Sequence, residues 1–108
     1  MNKVLLVDDH TSFREMLCFA FEREPDFEVV AYAGSLAETR SMLDGVDLAV
    51  VDLDLPDGDG TALIEALFSV NPRAVVLVLT ASPDREAHAR VVQAGAAGVC
   101  TSLRVSKT

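Results

Sequence analysis

Short apolar runs recur along the chain, and stretches with helical spacing separate them. The clearest runs cover residues 4–7, 46–51 and 74–79 and are rich in branched side chains, which is typical of strands buried on both faces of a parallel sheet. We also predict strands at Phe27–Ala33 and, more weakly, at Gly98–Thr101. Strands that alternate with helices over short connections indicate an α/β fold, with a parallel sheet and helices on both of its faces.

Helix boundaries are indicated by capping residues. Ser12 with Glu15, and Ser35 with Glu38, fit the capping-box pattern, so helices are predicted to begin there. The second of these helices is predicted to run to about residue 43, and a third to cover residues 61–70. Ser82 is the predicted cap of a fourth helix, which ends before a glycine at position 95. The first helix carries an apolar stripe of Phe13, Met16, Leu17, Ala20 and Phe21.

Composition narrows the function classes. The chain has 108 residues, half of them apolar, which suits one domain with a proper core. A formal net charge of -8 disfavours direct binding to nucleic acid, because phosphate contacts need clustered Lys and Arg. Cys18 and Cys100 are interpreted as buried reduced thiols. The sequence shows no signal peptide and no apolar run long enough for a membrane span, so we expect a cytoplasmic protein without membrane contacts.

Carboxylates follow two of the apolar runs. Asp8 and Asp9 end the first strand, and Asp52 ends the third. If those strands are neighbours, the three side chains converge beyond the carboxyl ends of the sheet, where open α/β sheets bind ligands. Two unit charges ~4 Å apart repel by roughly 4 kcal/mol at an effective dielectric near 20, so such a cluster calls for a cation. Oxygen ligands with room for water favour Mg²⁺. Thr80 ends the fourth strand at the same rim, where its hydroxyl can donate to a phosphoryl oxygen.

Other polar residues near this rim have simpler interpretations. Asp57 and Asp59, which lie beside glycines, are interpreted as residues that cap a helix or start a turn. His10 could be a ligand or a base, but a role at the helix entry or on the surface is favoured. His88 is interpreted as a solvated side chain on a polar helix face.

Four segments together resemble the receiver domain of two-component response regulators. They are residues 4–10, 52–60, 79–81 and 94–98, and they occur in the family's order over the whole chain. The resemblance implies a flavodoxin-like, doubly wound five-stranded parallel sheet of order 2-1-3-4-5. It also suggests the N-terminal part of a LuxR/NarL-type DNA-binding response regulator.

The resemblance assigns roles to the acidic residues. It implies that Asp52 is the phosphoacceptor, taking a phosphoryl group from a histidine kinase. Asp9 and Asp52 would bind Mg²⁺ directly, with the backbone carbonyl of Asp54 as a third ligand, and Asp8 would act through a metal-bound water. Thr80 would move toward the phosphoryl group and report its presence.

The chain departs from the family in three ways. Ser102 stands where the family has a lysine, and neither Arg104 nor Lys107 replaces it simply, so slower phosphorylation and weaker signalling are expected. Val99 stands where the family often has an aromatic residue. The family's last helix is missing or truncated, so residues 1–108 are expected to form a receiver domain without an output domain. The uncovered stripe on the first helix then suggests an interface, and a homodimer is one expected partner.

Two other functions remain as alternatives. A degenerate receiver would bind a partner without being phosphorylated, as Ser102 and the absent helix suggest. A phosphatase of the haloacid-dehalogenase type would use Asp52 and Asp54 as its D-x-D motif, but there the motif follows the first strand rather than the third. We therefore expect a signalling protein that is not a turnover enzyme and that reaches DNA only through an absent output domain.

Overall fold

The computed structural model describes residues 2–53, 55, 57, 58, 60–80 and 85–101. They form a parallel five-stranded sheet of order β2-β1-β3-β4-β5, which confirms the predicted fold class and strand order. The elements in chain order are β1 Asn2–Val7, α1 Thr11–Glu22, β2 Phe27–Ala33, α2 Leu36–Thr39, β3 Leu48–Asp52, α3 Thr61–Val70, β4 Val75–Thr80, α4 Arg85–Ala94 and β5 Gly98–Thr101.

The sheet has a different apolar cluster on each face. On the face that we call the α3 face, the strands pack against α3 and α4, with Ile64, Leu67 and Val91 fully buried. On the opposite face, the α1 face, four strand residues form a smaller buried cluster beneath α1: Val4, Leu6, Leu48 and Val50. Alternation of side chains along each strand produces this division, because successive residues point to opposite faces.

Helix α1 begins earlier than its predicted cap. The N-cap is His10, no side chain caps the helix, and the predicted capping box of Ser12 and Glu15 is therefore wrong. The physical reason lies just upstream: the Asp8 carboxylate accepts a hydrogen bond from the His10 N–H at 2.8 Å, which turns the chain into the helix before Ser12.

Helix α2 has the predicted start but is shorter than predicted. The Ser35 hydroxyl accepts a hydrogen bond from the Glu38 N–H, as a capping box requires, yet the helix ends at Thr39 rather than near residue 43. The Thr39 hydroxyl donates to the Leu36 carbonyl at 2.6 Å, and the Met42 N–H bonds to the Thr39 carbonyl three residues back. These local bonds replace the helical ladder with turns. The predicted cap at Ser82 lies outside the described residues.

Only part of the apolar stripe of α1 is buried. Leu17 and Phe21 pack against the α1-face cluster, whereas Met16 is 59% exposed, so part of the stripe is uncovered, as expected. Cys18 is half-buried rather than buried, and burial is the main cause that raises the pKa of its thiol. The described part of the chain contains no helix with the length and apolar character of a membrane span.

Candidate functional site

Strands β1 and β3 are neighbours in the sheet and end at the same height. Val7 pairs with Val51, so the residues that follow them, Asp8 and Asp52, emerge side by side at the carboxyl edge. The Asp8 N–H donates to the Ala33 carbonyl at 2.9 Å, which continues the ladder toward β2 by one residue. Strand order reverses between β1 and β3, and this is where open α/β sheets bind ligands.

The structure brings four potential ligand groups together at this edge. One side-chain ligand atom from each of Asp8, Asp9, His10 and Asp52 lies within 4.8 Å of the others. Asp8 and Asp52 are buried, while Asp9 and His10 are exposed, so the cluster opens toward solvent on one side. Close carboxylates repel one another, and burial strengthens that repulsion. The donor set of three carboxylates therefore suits a divalent cation.

The ring of His10 contacts this cluster, whereas the sequence favoured a role at the helix entry or on the surface. Its Nδ1 lies 3.0 Å from Asp8 Oδ1, 3.2 Å from Asp9 Oδ1 and 3.9 Å from Asp52 Oδ2. The hydrogen bond to Asp8 and the negative charge of the carboxylates raise the pKa of His10 above its ordinary value. The residue is at the helix entry and exposed, as expected, but its ring also joins the acidic cluster. The one signal in the sequence is that it directly follows two carboxylates.

Thr80 ends β4 at the same rim. Asp52 pairs with Leu79, so Thr80 lies one residue beyond the level of Asp52 on the neighbouring strand. The Leu53 N–H donates to the Leu79 carbonyl at 2.7 Å, which keeps the two strands joined beyond Asp52. Thr80 is 2% exposed, so its side chain is buried at the edge where the carboxylates converge.

The loop after β3 is fastened to α2 by Asp57. Its two carboxylate oxygens accept hydrogen bonds from the N–H groups of Leu36 and Ala37 at 2.9 and 3.0 Å, across 20 or more residues of sequence. The bond from Leu36 is the main cause that lowers the pKa of Asp57. Asp57 lies in a turn and caps a helix, the two roles expected for it, but the local sequence does not indicate that the capped helix is α2. Asp54 and Asp59 of this loop lie outside the described residues.

The end of β5 is described only to residue 101. Ser102, Arg104 and Lys107, on which the sequence-based expectation of weak signalling depends, lie outside the described residues. Val99 lies partly buried against the core of the α3 face. Its side chain therefore contributes to packing next to β4, the strand that carries Thr80.

The fold and the edge site define a class: flavodoxin-like α/β domains with an acidic, cation-suited site at the switch point of the sheet. A sequence profile of the response regulator receiver domain matches residues 4–101. The chain belongs to this family of two-component signalling domains, which confirms the resemblance read from its motifs.

Three known proteins illustrate the relationship. The DNA-binding transcriptional activator DevR/DosR of Mycobacterium tuberculosis is 40% identical over 100 residues, which are 91% of this chain and 46% of that protein. A CheY-like receiver domain protein of Methanospirillum hungatei has 25% identity and a TM-score of 0.84, with 99% of this chain and 91% of that chain covered. A LuxR-family two-component response regulator of Aurantimonas has 30% identity and a TM-score of 0.77, with 92% and 72% covered. The chain thus spans about half the length of DevR/DosR.

Proposed function

We propose that this chain is a phosphoaccepting receiver in which Asp52 takes a phosphoryl group from the phosphohistidine of a histidine kinase. The observation that carries the proposal is the position of Asp52: it is buried, and its carboxylate lies with those of Asp8 and Asp9 at the switch point of the sheet. A lone structural aspartate would not need two further carboxylates beside it, because their mutual repulsion opposes folding.

The proposed step needs positioning more than it needs reactive side chains. An Asp52 carboxylate oxygen attacks phosphorus, the new O–P bond forms as the bond from phosphorus to the donor breaks, and the bonding electrons leave with the donor. Asp9 and Asp52 would hold Mg²⁺ directly, with the Asp54 carbonyl as a third ligand and Asp8 acting through water. The ion supplies positive charge that offsets the carboxylates and the incoming phosphoryl oxygens. The Thr80 hydroxyl would donate a hydrogen bond to one of those oxygens.

Phosphorylation of Asp52 would change the conformation of an interaction surface rather than start a turnover reaction. The aspartyl phosphate would bias a two-state surface around α4 and β5, next to Thr80. We propose that residues 1–108 act as the receiver of a transcription regulator, with a histidine kinase and a second copy of the chain as partners. DNA would be contacted only by another part of such a regulator. A cytoplasmic location remains a prediction.

Intact mass spectrometry after incubation with Mg²⁺ and acetyl phosphate tests the proposal. We expect a gain of one phosphoryl group that requires Mg²⁺ and is absent from Asp52→Asn. The matched control is Asp44→Asn, which removes an exposed carboxylate away from the site and should leave the gain unchanged. Phosphorylation that persists in Asp52→Asn would show that another residue is the acceptor.

The alternative of a phosphorylation-independent interaction module is favoured by one observation, the serine at position 102 in place of the family's lysine. It predicts no gain of mass in a protein that is shown to be folded by circular dichroism. The variant Ser102→Lys separates the two functions further: faster phosphorylation than in the wild type would show that the chemistry is present but slowed.

A further inference from the structure

The acidic cluster contains a nitrogen donor that an all-oxygen magnesium site does not need. His10 Nδ1 lies 3.0 Å from Asp8 Oδ1 and 3.2 Å from Asp9 Oδ1. Two neighbouring ligands of a cation with bonds of ~2.1 Å are about 3.0 Å apart when they meet it at a right angle. The separations in this cluster are therefore those of adjacent ligands as well as those of hydrogen-bonded groups.

The position of the ring is set by the cluster itself. The His10 N–H donates to Asp8 Oδ1 at 2.8 Å, so the backbone of His10 is fixed beside the carboxylates. The side chain is 72% exposed, which means that little apolar packing holds the imidazole in place. The ring lies where it does because Nδ1 faces three carboxylates, and Asp52 Oδ2 completes the group at 3.9 Å.

We propose that His10 Nδ1 is a ligand of the cation that Asp9 and Asp52 hold directly, and that it shifts the preference of the site from Mg²⁺ toward late first-row divalent ions. Imidazole nitrogen suits Fe²⁺, Co²⁺, Ni²⁺ and Zn²⁺, whereas Mg²⁺ prefers oxygen ligands and retains several of its waters. This inference rests on the proposed function, because it takes the cation site of the receiver as its starting point.

The choice of cation has a consequence for the receiver. When Mg²⁺ binds, the exposed imidazole can swing away and leave its place to water, so His10 would contribute little. When a late first-row ion binds, Nδ1 stays in place and adds one bond. Removal of His10 should therefore affect the two kinds of ion unequally, and this difference is the measurable signature of a nitrogen ligand.

Isothermal titration calorimetry with Mg²⁺ alone and Co²⁺ alone tests the inference, on protein without a polyhistidine tag. In His10→Asn the Co²⁺ affinity should fall by about tenfold or more, since loss of even an outer-shell partner produces changes of this size. The Mg²⁺ affinity should change much less. His88→Asn, which removes the other histidine of the chain, is the matched control and should leave both affinities unchanged.

Proton NMR of the Co²⁺ form gives a second readout. A bound Nδ1 leaves an exchangeable ring N–H on Nε2, so the wild type and His88→Asn should show a strongly shifted imidazole resonance that disappears in D₂O. Its absence from His10→Asn would support the assignment.

Three results would overturn the inference. The Co²⁺ and Mg²⁺ affinities could fall equally in His10→Asn, both could rise because the ring merely competes for the site, or the shifted resonance could persist in the variant. These failures are distinguishable from a failure of the proposed function. The latter would appear as no Mg²⁺ binding and no phosphorylation of Asp52 in the wild type, and it would overturn the inference as well.

Discussion

The α3 face and the α1 face are built from the same strands, yet they bury their side chains to different extents. Within β4, Val76 and Val78 on the α3 face are 1% and 0% exposed, while Val75, which alternation places on the α1 face, is 45% exposed. Leu77 and Leu79 on the α1 face are only partly buried. Among the described residues, α2, α3 and α4 pack on one face and α1 on the other, so we infer that the stability of this domain resides mainly in the α3 face.

The largest expected effect is the loss of a leucine from the α3 face. Leu67 is fully buried, so Leu67→Ala should lower the free energy of unfolding by roughly 2–5 kcal/mol, through lost apolar burial and the cavity left behind. Phe19 on α1 is 62% exposed, and Phe19→Ala should change the same quantity by less than about 1 kcal/mol. Urea unfolding followed by circular dichroism measures both. Equal losses of unfolding free energy in the two variants would contradict the inference that stability resides mainly in the α3 face.

The next largest effect is expected from a comparison of two valines in β4, one on each face of the sheet. Val78→Ala should lower the free energy of unfolding by roughly 1.5–3 kcal/mol, because two buried methyl groups are lost. Val75→Ala should cost less than half of that, since nearly half of this side chain already faces water. Because the residue type and the strand are the same, the difference between the two urea midpoints measures the effect of the sheet face on which the valine lies. A larger loss at Val75 would show that the α1 face is covered in solution.

The difference between the faces was only partly predictable. Periodicity identified every strand, and it gave β2, α3 and β5 their observed bounds, because continuous apolar runs and helical spacing are local properties of the chain. It also placed Met16 on the apolar stripe of α1, yet Met16 is 59% exposed, because an apolar residue on a helical stripe is buried only if another element covers it. The covering of a face depends on the whole packing, and no local pattern encodes it.

The candidate site was also only partly predictable from local sequence patterns. The convergence of Asp8, Asp9 and Asp52 was expected because strand ends in a parallel sheet meet at one edge, and the structure places them together. The contact of the His10 ring with the cluster was not expected, and neither was α2 as the helix that Asp57 caps. Both depend on hydrogen bonds to particular backbone N–H groups, and the bonds of Asp57 cross 20 or more residues.

A smaller effect concerns two glycines near β5. Gly95 has φ of 121°, and a Cβ there would overlap a ring carbon of Phe68 on α3. Gly95→Ala should therefore cost about 1–3 kcal/mol, since it combines backbone strain with displacement of that ring. A Cβ at Gly98 would meet only Leu77 Cδ2, at 3.7 Å, on the α1 face.

The matched variant Gly98→Ala should be neutral or stabilising by up to about 1 kcal/mol, because it restricts the unfolded chain and fits an uncrowded face. Thermal unfolding of the two variants measures the contrast. A loss at Gly98 similar to that at Gly95 would indicate that the α1 face beside β5 is as tightly filled as the α3 face.

The smallest expected effect concerns Asp57, which fastens α2 at the margin of the α3 face. Its bonds from the Leu36 and Ala37 N–H groups hold the pKa of its carboxyl below the ordinary value of 3.8. A lowered pKa in the folded state means that the stabilisation is present above the pKa of the unfolded chain and is lost as the pH falls through the folded value. The wild type should thus lose this contribution only under acidic conditions.

Asp57→Asn should lower the unfolding midpoint slightly at neutral pH, and the difference from the wild type should shrink as the pH falls below 3.8. Urea midpoints measured along a pH series check this, with Asp44→Asn as the control for loss of an exposed carboxylate. A difference that stays constant with pH would mean that Asp57 acts through shape rather than charge. Since Leu36 also packs against the α3-face core, the same bonds then tie the loop after Asp52 to the more stable face.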